Sequence, residues 1–149
     1  MAIFHSLEEL QNEAVRFTQT LSPKANNATL VTLSGELGAG KTSFTQGVAK
    51  ALGVQGSVTS PTFVIEKLYP LEKGAGRGFE QLVHIDAYRF KNKEELRVLG
   101  FEELLKNPST LIFLEWPENI LGAFEDVHTN VSIVVHEGGA REITYTSHG

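Results

Sequence analysis

The most constraining feature of this chain is one glycine-rich segment, Gly35-Glu36-Leu37-Gly38-Ala39-Gly40-Lys41-Thr42. Its glycines allow backbone conformations that other residues avoid, so that successive N–H groups can point inward and surround an anion. The spacing is that of the P-loop, in which the lysine reaches the β- and γ-phosphates and the final hydroxyl coordinates Mg²⁺. The segment therefore predicts a nucleotide-phosphate site, with Lys41 and Thr42 in those two roles.

The flanking sequence supplies the strand and the helix that this loop requires. Thr29–Leu33 is a short apolar and β-branched run, typical of a buried strand. Thr42–Leu52 predicts a helix, with Gly53 as its stop signal. The positive end of that helix would add to the attraction of an anion. This context favours a ligand site over a glycine-rich turn without a ligand.

The remaining sequence alternates helical and strand patterns. Ser6 and Glu9 form a capping box that starts an amphipathic helix, and Lys93–Leu105 is a further helical stretch. Strands are predicted at Thr62–Leu68, Leu82–Asp86 and Leu111–Leu114, and a hairpin is predicted from Val131–Val135 and Glu142–Tyr145 around Gly138-Gly139. We therefore predict an α/β fold of the three-layer P-loop NTPase type, with a mainly parallel sheet, a C-terminal antiparallel hairpin and one domain over residues 1–149.

Composition excludes several classes of function. The 149 residues include no cysteine, which rules out disulfides and thiolate metal sites. No apolar run approaches a membrane span, and Met1–Leu10 has no basic residue of the kind that begins a secretory signal, so we expect a cytoplasmic protein. The net charge of −5 argues against a large nucleic-acid footprint, and any RNA is expected to be held mostly by a partner protein.

Two acidic residues follow buried strand patterns and are candidates for the carboxylate that a P-loop needs near its magnesium. Asp86 ends the run Leu82–Ile85, and Glu115 ends Leu111–Leu114. Ligands of open α/β sheets bind at the carboxyl ends of the strands, where both residues are placed. The spacing does not decide which is the metal ligand and which is the base. Trp116, which follows Glu115, is interpreted as a core or interface residue.

Several polar residues near these motifs have open interpretations. Ser60-Pro61-Thr62-Phe63 lies where nucleotide hydrolases place a switch loop, so Thr62 either senses the γ-phosphate or belongs to a plain turn. His84 shares a strand face with Asp86 and is interpreted as a core histidine or a support for a neighbouring ligand rather than as a catalytic group. Arg89 would either contact phosphate or form a structural ion pair.

The ordered set of motifs resembles the TsaE family (formerly YjeE), small bacterial ATPases of tRNA threonylcarbamoyladenosine biosynthesis. The resemblance covers nearly the whole chain. It rests on Gly35–Thr42, Ser60-Pro61-Thr62-Phe63, His84-Ile85-Asp86-Ala87-Tyr88-Arg89, Glu94-Glu95-Leu96 with Leu99-Gly100, and Glu115-Trp116-Pro117-Glu118. The P-loop alone is generic, whereas the combination with Glu115-Trp116 as the second acidic motif is specific.

This resemblance implies a role for each matching residue. The phosphates of ATP or ADP would be bound by Gly38, Ala39, Gly40, Lys41, Thr42 and Ser43. Thr42 and Glu115 would ligate Mg²⁺, while Asp86, assisted by Lys41 and Thr62, would be the catalytic or water-orienting carboxylate. Leu7 and Ala140 are candidates for the surroundings of the adenine.

The resemblance also implies partners. The family acts with the threonylcarbamoyl transferase TsaD and its partner TsaB, and hydrolysis would support turnover of that complex. Contact with tRNA would be indirect, and no membrane is involved.

Other functions share the same loop. A small-molecule P-loop kinase needs a lid, yet the five arginines form no arginine-rich segment. A GTPase-like switch would read guanine with a loop whose nearest match, Asn92-Lys93-Glu94-Glu95, lacks the essential aspartate. A scaffold that binds nucleotide without hydrolysis is the third alternative.

Overall fold

The computed structural model describes residues 2–36, 38–54, 66–72, 74–120 and 128–148. The strands in this part of the chain are β1 (Ala2–Phe4), β2 (Thr29–Ser34), β3 (Glu66–Pro70), β4 (Gln81–Asp86), β5 (Thr110–Glu115), β6 (His128–Val135) and β7 (Arg141–His148). The helices are α1 (Leu7–Thr18), α2 (Lys41–Ala51), α3 (Glu94–Arg97) and α4 (Phe101–Leu105), and a 3-10 helix follows at Pro117–Ile120.

The described strands form one sheet in the order β1-β7-β6-β2-β5-β4-β3. Its centre is parallel, since β2 pairs with both β5 and β6 and β4 pairs with β5 in the same direction. The C-terminal hairpin is antiparallel and joins Val135 to Arg141 in register. These observations confirm the predicted α/β fold, its parallel centre and its hairpin.

Helices cover both faces of the central strands and make three layers. Alternate strand residues point to opposite faces, so Leu82 and Phe113 pack with Phe44 of α2 in one cluster. Val83 and Ile112 pack with Phe101 of α4 in a second cluster. The loop that follows β2 therefore lies at the end of the layer that contains α1 and α2.

The structure corrects the predicted helix over Lys93–Leu105. It is two short helices, α3 and α4, which are separated at Gly100 with a φ of 73°. That left-handed conformation interrupts an α-helix and suits glycine. Val98, just before the break, is 86% exposed, so this stretch does not present one continuous apolar face.

The edges of the sheet also differ from the prediction. The strand predicted at Thr62–Leu68 is described from Glu66 to Pro70 as β3, which runs antiparallel to β4; residues 62–65 lie outside the described part. At the opposite edge β1, which was not predicted, pairs with β7. Three residues are too few to carry a period-2 pattern, so this strand had no signal in the sequence.

The predicted N-terminal cap of α1 is confirmed. The Ser6 side chain accepts a hydrogen bond from the Glu9 backbone N–H at 3.1 Å. The Glu9 carboxylate accepts from the N–H of His5 at 2.6 Å, one residue before the N–H that a capping box engages. The cap therefore fixes the turn between β1 and α1.

A buried polar cluster connects α1 to the last strand. The Glu13 carboxylate accepts two hydrogen bonds from Arg16, at 2.6 and 2.5 Å, and one from the Tyr145 hydroxyl at 2.5 Å. The ring of Tyr145 stacks on Phe17, with centroids 5.0 Å apart. Burial alone would raise the pKa of Glu13, but these donors outweigh it and lower the pKa. Burial and the adjacent Glu13 together raise the pKa of Tyr145 well above its ordinary range.

We predict that Tyr145→Phe lowers the free energy of unfolding by about 2 kcal/mol at neutral pH, because it removes one donor from a charged acceptor while keeping the stacked ring. Urea unfolding would measure the loss. The ionised Glu13 stabilises the fold above its ordinary pKa of 4.5, and this contribution is lost as pH falls through its lowered folded value. The difference between wild type and variant should therefore shrink in acid, and a difference independent of pH would contradict the assignment.

Candidate functional site

The P-loop backbone lies in the conformation that its glycines permit. Gly38 has a φ of 81° and Gly40 a φ of 116°, both in the left-handed region. Gly40 is the N-cap of α2, and no side chain caps that helix. The first N–H groups of α2 therefore remain available to an anion at the positive end of the helix.

The lysine of the loop is almost fully buried. Lys41 is 5% exposed; its Nζ donates to the carbonyl of Gly35 at 2.5 Å and lies 3.7 Å from the ring centroid of Trp116. Burial lowers the pKa of Lys41, and the nearby carboxylates, Glu115 foremost, oppose that effect without cancelling it. The buried Lys41 ammonium contacts one carbonyl and one aromatic face, and charged phosphate oxygens would be stronger acceptors than either.

The two candidate carboxylates lie side by side. Asp86 and Glu115 are paired residues in the parallel register of β4 and β5, and they are 4% and 3% exposed. Asp86 Oδ1 accepts the N–H of Tyr88 at 2.8 Å. Glu115 Oε2 lies 2.5 Å from His84 Nε2. The structure thus brings together two residues that are 29 positions apart in the sequence.

One cavity, of about 260 Å³, joins these groups. Its lining includes Thr42, Ser43, Lys41 and both carboxylates of the predicted site, together with Gly38 and Gly40. Leu7, Tyr88, Trp116 and Arg141 complete it. The predicted metal ligands, the catalytic candidates Asp86 and Lys41 and most of the predicted phosphate-binding residues therefore share a cavity with Leu7, which was a candidate for the adenine surroundings.

Some predicted residues lie elsewhere. Thr62 and the rest of the Ser60–Phe63 motif are outside the described residues, so the switch role of Thr62 stays a prediction. Ala39 is fully buried and contributes its backbone, not its side chain. Arg89 is exposed in the turn after β4 and is not part of the cavity lining, and Ala140 is outside the lining as well, next to Arg141.

Arg141 is a residue of the site that the sequence pattern did not single out. Its Nε donates to the carbonyl of Ala39 at 2.7 Å, and its Nη2 lies 3.4 Å from the carbonyl of Gly38. It reaches the loop from the first position of β7. The sequence shows only an arginine two residues after Gly139. Without the order of the strands, nothing indicates that this arginine reaches the P-loop.

An aromatic pair forms one wall of the cavity. The rings of Tyr88 and Trp116 have centroids 5.0 Å apart and are tilted by 56°. Trp116 has a φ of 61°, which is uncommon for a residue with a side chain. The conformation turns the chain sharply after Glu115 and lays the indole against Lys41. Residues in such conformations cluster at functional sites.

The residues in the cavity fit a nucleotide polyphosphate and Mg²⁺. The helix N–H groups, Lys41 and Arg141 supply donors and positive charge, while the Thr42 hydroxyl and two carboxylates supply the oxygen ligands that Mg²⁺ prefers. No group of three or more His, Cys, Asp or Glu that could hold a metal by itself occurs in the described ranges. A cation shared between a few protein oxygens and phosphates matches this donor set.

Comparisons with known proteins identify the family to which the chain belongs. The family model of threonylcarbamoyl adenosine biosynthesis protein TsaE matches residues 5–143. The TsaE protein of Treponema pallidum is 30% identical over 89% of this chain and 92% of its own length, and that of Rickettsia prowazekii is 38% identical over 80% and 76%. A Streptomyces coelicolor relative of the same name is 48% identical over 60% of the chain and 57% of the relative.

A solved structure has the same fold. The crystal structure of Bacillus subtilis YdiB superposes with a TM-score of 0.78 and 29% sequence identity, over 99% of this chain and 84% of that one. The resemblance predicted from the sequence is confirmed by these matches.

Among the described residues, no helix is long and apolar enough to cross a membrane.

We predict that Arg141→Met loosens the phosphate loop, because it removes the two hydrogen-bond donors that reach the carbonyls of Ala39 and Gly38. Hydrogen exchange of the Ala39 and Phe44 amides, which donate to the carbonyls of Glu36 and Gly40, should become faster, by roughly tenfold for the loss of about 1.4 kcal/mol. Arg77→Met is the matched control, since Arg77 also donates to a backbone carbonyl, that of Gln19, but far from the loop. Equal rates of amide exchange in Arg141→Met and Arg77→Met would contradict the role of Arg141 in holding the loop.

Proposed function

The chain belongs to the TsaE family of tRNA threonylcarbamoyladenosine biosynthesis proteins, and from this premise we propose that it is a Mg²⁺-dependent ATPase. One observation carries the proposal: Asp86 and Glu115 lie side by side and share a cavity with Lys41 and Thr42 of the P-loop. A phosphate-binding loop needs such carboxylates to do more than bind.

In this proposal Gly38–Ser43 hold the phosphates of ATP. The backbone N–H groups of the loop and of α2 would donate hydrogen bonds to the phosphate oxygens, and Lys41 would leave the Gly35 carbonyl to pair with the β- and γ-phosphates. Arg141 keeps the loop in place from β7. Leu7 contributes an apolar surface on the side of the cavity where the adenine would lie.

The two carboxylates have separate tasks. Thr42 and Glu115 would hold Mg²⁺, which when bound neutralises charge that develops on the phosphates. Asp86 would orient the attacking water and accept its proton, as a positioned carboxylate does in phosphoryl transfer. Thr62 keeps the predicted role of sensing the γ-phosphate. This division of roles between Asp86 and Glu115 rests on the family resemblance, since both residues are buried and both lie at the carboxyl end of a central strand.

The proposed partners follow from the same premise. The protein would act with a TsaD-type threonylcarbamoyl transferase and a TsaB-type protein in the cytoplasm, and its hydrolysis of ATP would support the turnover of that complex. The net charge of −5 fits an indirect relation to tRNA, because a protein of this charge gains little from contact with phosphate backbones.

We predict that Asp86→Asn keeps ATP binding and lowers the hydrolysis rate by at least about 100-fold, since the amide cannot accept the proton of the water. Lys41→Ala should instead lose tight binding, because it removes a charged donor from the phosphates. Binding is measured with a fluorescent ATP analogue and hydrolysis by phosphate release. Glu118→Gln is the control: Glu118 is an exposed carboxylate near Lys41 that does not line the cavity. Wild-type hydrolysis in Asp86→Asn would remove its catalytic role.

The test of the whole proposal is phosphate release with Mg²⁺, by the protein alone and with a purified TsaB–TsaD pair. We expect slow hydrolysis alone and a several-fold increase with the pair, because a partner that closes the site completes its set of catalytic groups. A rate indifferent to the pair would reject the coupling. Transfer of phosphate to a small acceptor instead of water would favour a kinase.

A further inference from the structure

The sheet contains a buried polar contact that the proposed function does not use. His84 is 0% exposed, and its Nε2 lies 2.5 Å from Oε2 of Glu115, which is 3% exposed. On this face of β4 and β5, Leu82 precedes His84 and Phe113 is paired with it; both are fully buried in the cluster under α2, and Asp86 follows His84 at the end of the strand. An imidazole in that row is not required by packing.

The direction of the hydrogen bond follows from the chemistry of the two groups. A carboxylate only accepts, so the proton lies on His84 Nε2. Nδ1, at the other side of the ring, is buried and has no hydrogen-bond partner within the described residues. A neutral ring with Nε2–H and an unprotonated Nδ1 satisfies the short contact and places no unpaired N–H in the core. Among the described residues, the imidazole of His84 therefore makes its hydrogen bond to Glu115.

The hydrogen bond from His84 holds one oxygen of the Glu115 carboxylate and leaves the other oxygen available to a ligand. Glu115 Oε2 accepts from His84, while Oε1 accepts no hydrogen bond from the described residues, and Glu115 lines the cavity beside Thr42. A glutamate side chain has three rotatable bonds, so without a second anchor its head would sample several positions. With Oε2 held, the orientation of Oε1 is restricted.

We propose that His84 is a positioning residue that holds the Glu115 carboxylate ready for the divalent cation; this rests on the proposed function of Glu115 as a magnesium ligand. His84 itself touches neither cation nor nucleotide. Hydrogen-bonded supports of this kind orient metal ligands, and their loss typically lowers metal affinity about 10- to 100-fold.

The test separates metal binding from nucleotide binding. The probe is mant-AMP-PNP, a fluorescent ATP analogue that is not hydrolysed, titrated first in EDTA and then with increasing Mg²⁺. We expect His84→Leu to raise the half-saturating Mg²⁺ concentration about 10- to 100-fold while affinity in EDTA is unchanged. His84→Gln keeps an N–H at a similar reach and should remain near wild type. His84→Asn has the same amide but is one methylene shorter, and should behave like the leucine variant.

A matched control lies at the other end of the same two strands. Gln81 Nε2 donates to Oγ1 of the fully buried Thr110 at 2.6 Å, which is another cross-strand pair of β4 and β5. It is about 16 Å from Glu115, five residues along β5. Thr110→Val removes a buried hydrogen bond without touching the site, so its Mg²⁺ midpoint should equal that of wild type.

Three results would overturn the proposal. The first is a wild-type Mg²⁺ midpoint in His84→Leu, and the second is a shift of the midpoint in Thr110→Val as large as that in His84→Leu. The third is a loss of mant-AMP-PNP affinity by His84→Leu in EDTA as large as its loss in Mg²⁺. If the leucine variant does not fold, the comparison of His84→Gln with His84→Asn decides, and equal midpoints there would overturn it. Nucleotide binding by wild type that does not depend on Mg²⁺ would instead reject the metal site itself, and the role of His84 with it.

Discussion

Parallel pairing of β2, β5 and β4 places the carboxyl ends of three strands at one edge of the sheet, and the site depends on this arrangement. The P-loop follows β2, Glu115 ends β5 and Asp86 ends β4. If β4 ran in the opposite direction, Asp86 would lie roughly 17 Å away at the other edge, since a strand rises about 3.3 Å per residue. The hydrophobic runs that make these strands central are therefore also what brings the polar residues together.

The charged groups that line the cavity bear on its chemistry: the carboxylates Asp86 and Glu115 are matched in number by the cations Lys41 and Arg141, so the lining carries no net positive charge. Two buried carboxylates face one buried ammonium, and the ammonium is held by a carbonyl and an aromatic ring. A polyphosphate would add several negative charges beside Asp86 and Glu115, which like-charge repulsion opposes in a medium of low dielectric constant. A divalent cation offsets that repulsion and bridges the two sets of oxygens. The proposed dependence on Mg²⁺ is thus supported by the charge that a polyphosphate would bring into the cavity as well as by the oxygen ligands that line it.

Sequence reasoning reached the local features and missed those that depend on strand order. The P-loop, the Ser6 cap and the Gly138-Gly139 hairpin are encoded within a few residues, so their patterns could be read directly. The contact of Arg141 with Ala39 joins positions 102 apart, and the pairing of His84 with Glu115 depends on the register of two strands. The division of α3 from α4 was missed because a glycine within a helical pattern is often tolerated, and here the left-handed Gly100 decides.

The glycines of the P-loop show how far the site depends on the elements that pack around the loop. A Cβ at Gly35 would lie 2.6 Å from the carbonyl oxygen of Ile133 in β6, and one at Gly40 would lie 2.6 Å from Leu10 of α1. A Cβ at Gly38 would meet nothing within 4 Å among the described residues. Gly35 is thus required by packing against the backbone of β6, and Gly40 by its left-handed backbone as well as by Leu10; Gly38 is required by its left-handed backbone and leaves space toward the cavity. Since Arg141 of β7 holds the same loop, the C-terminal hairpin is part of the wall that shapes the proposed phosphate site rather than an addition to the sheet.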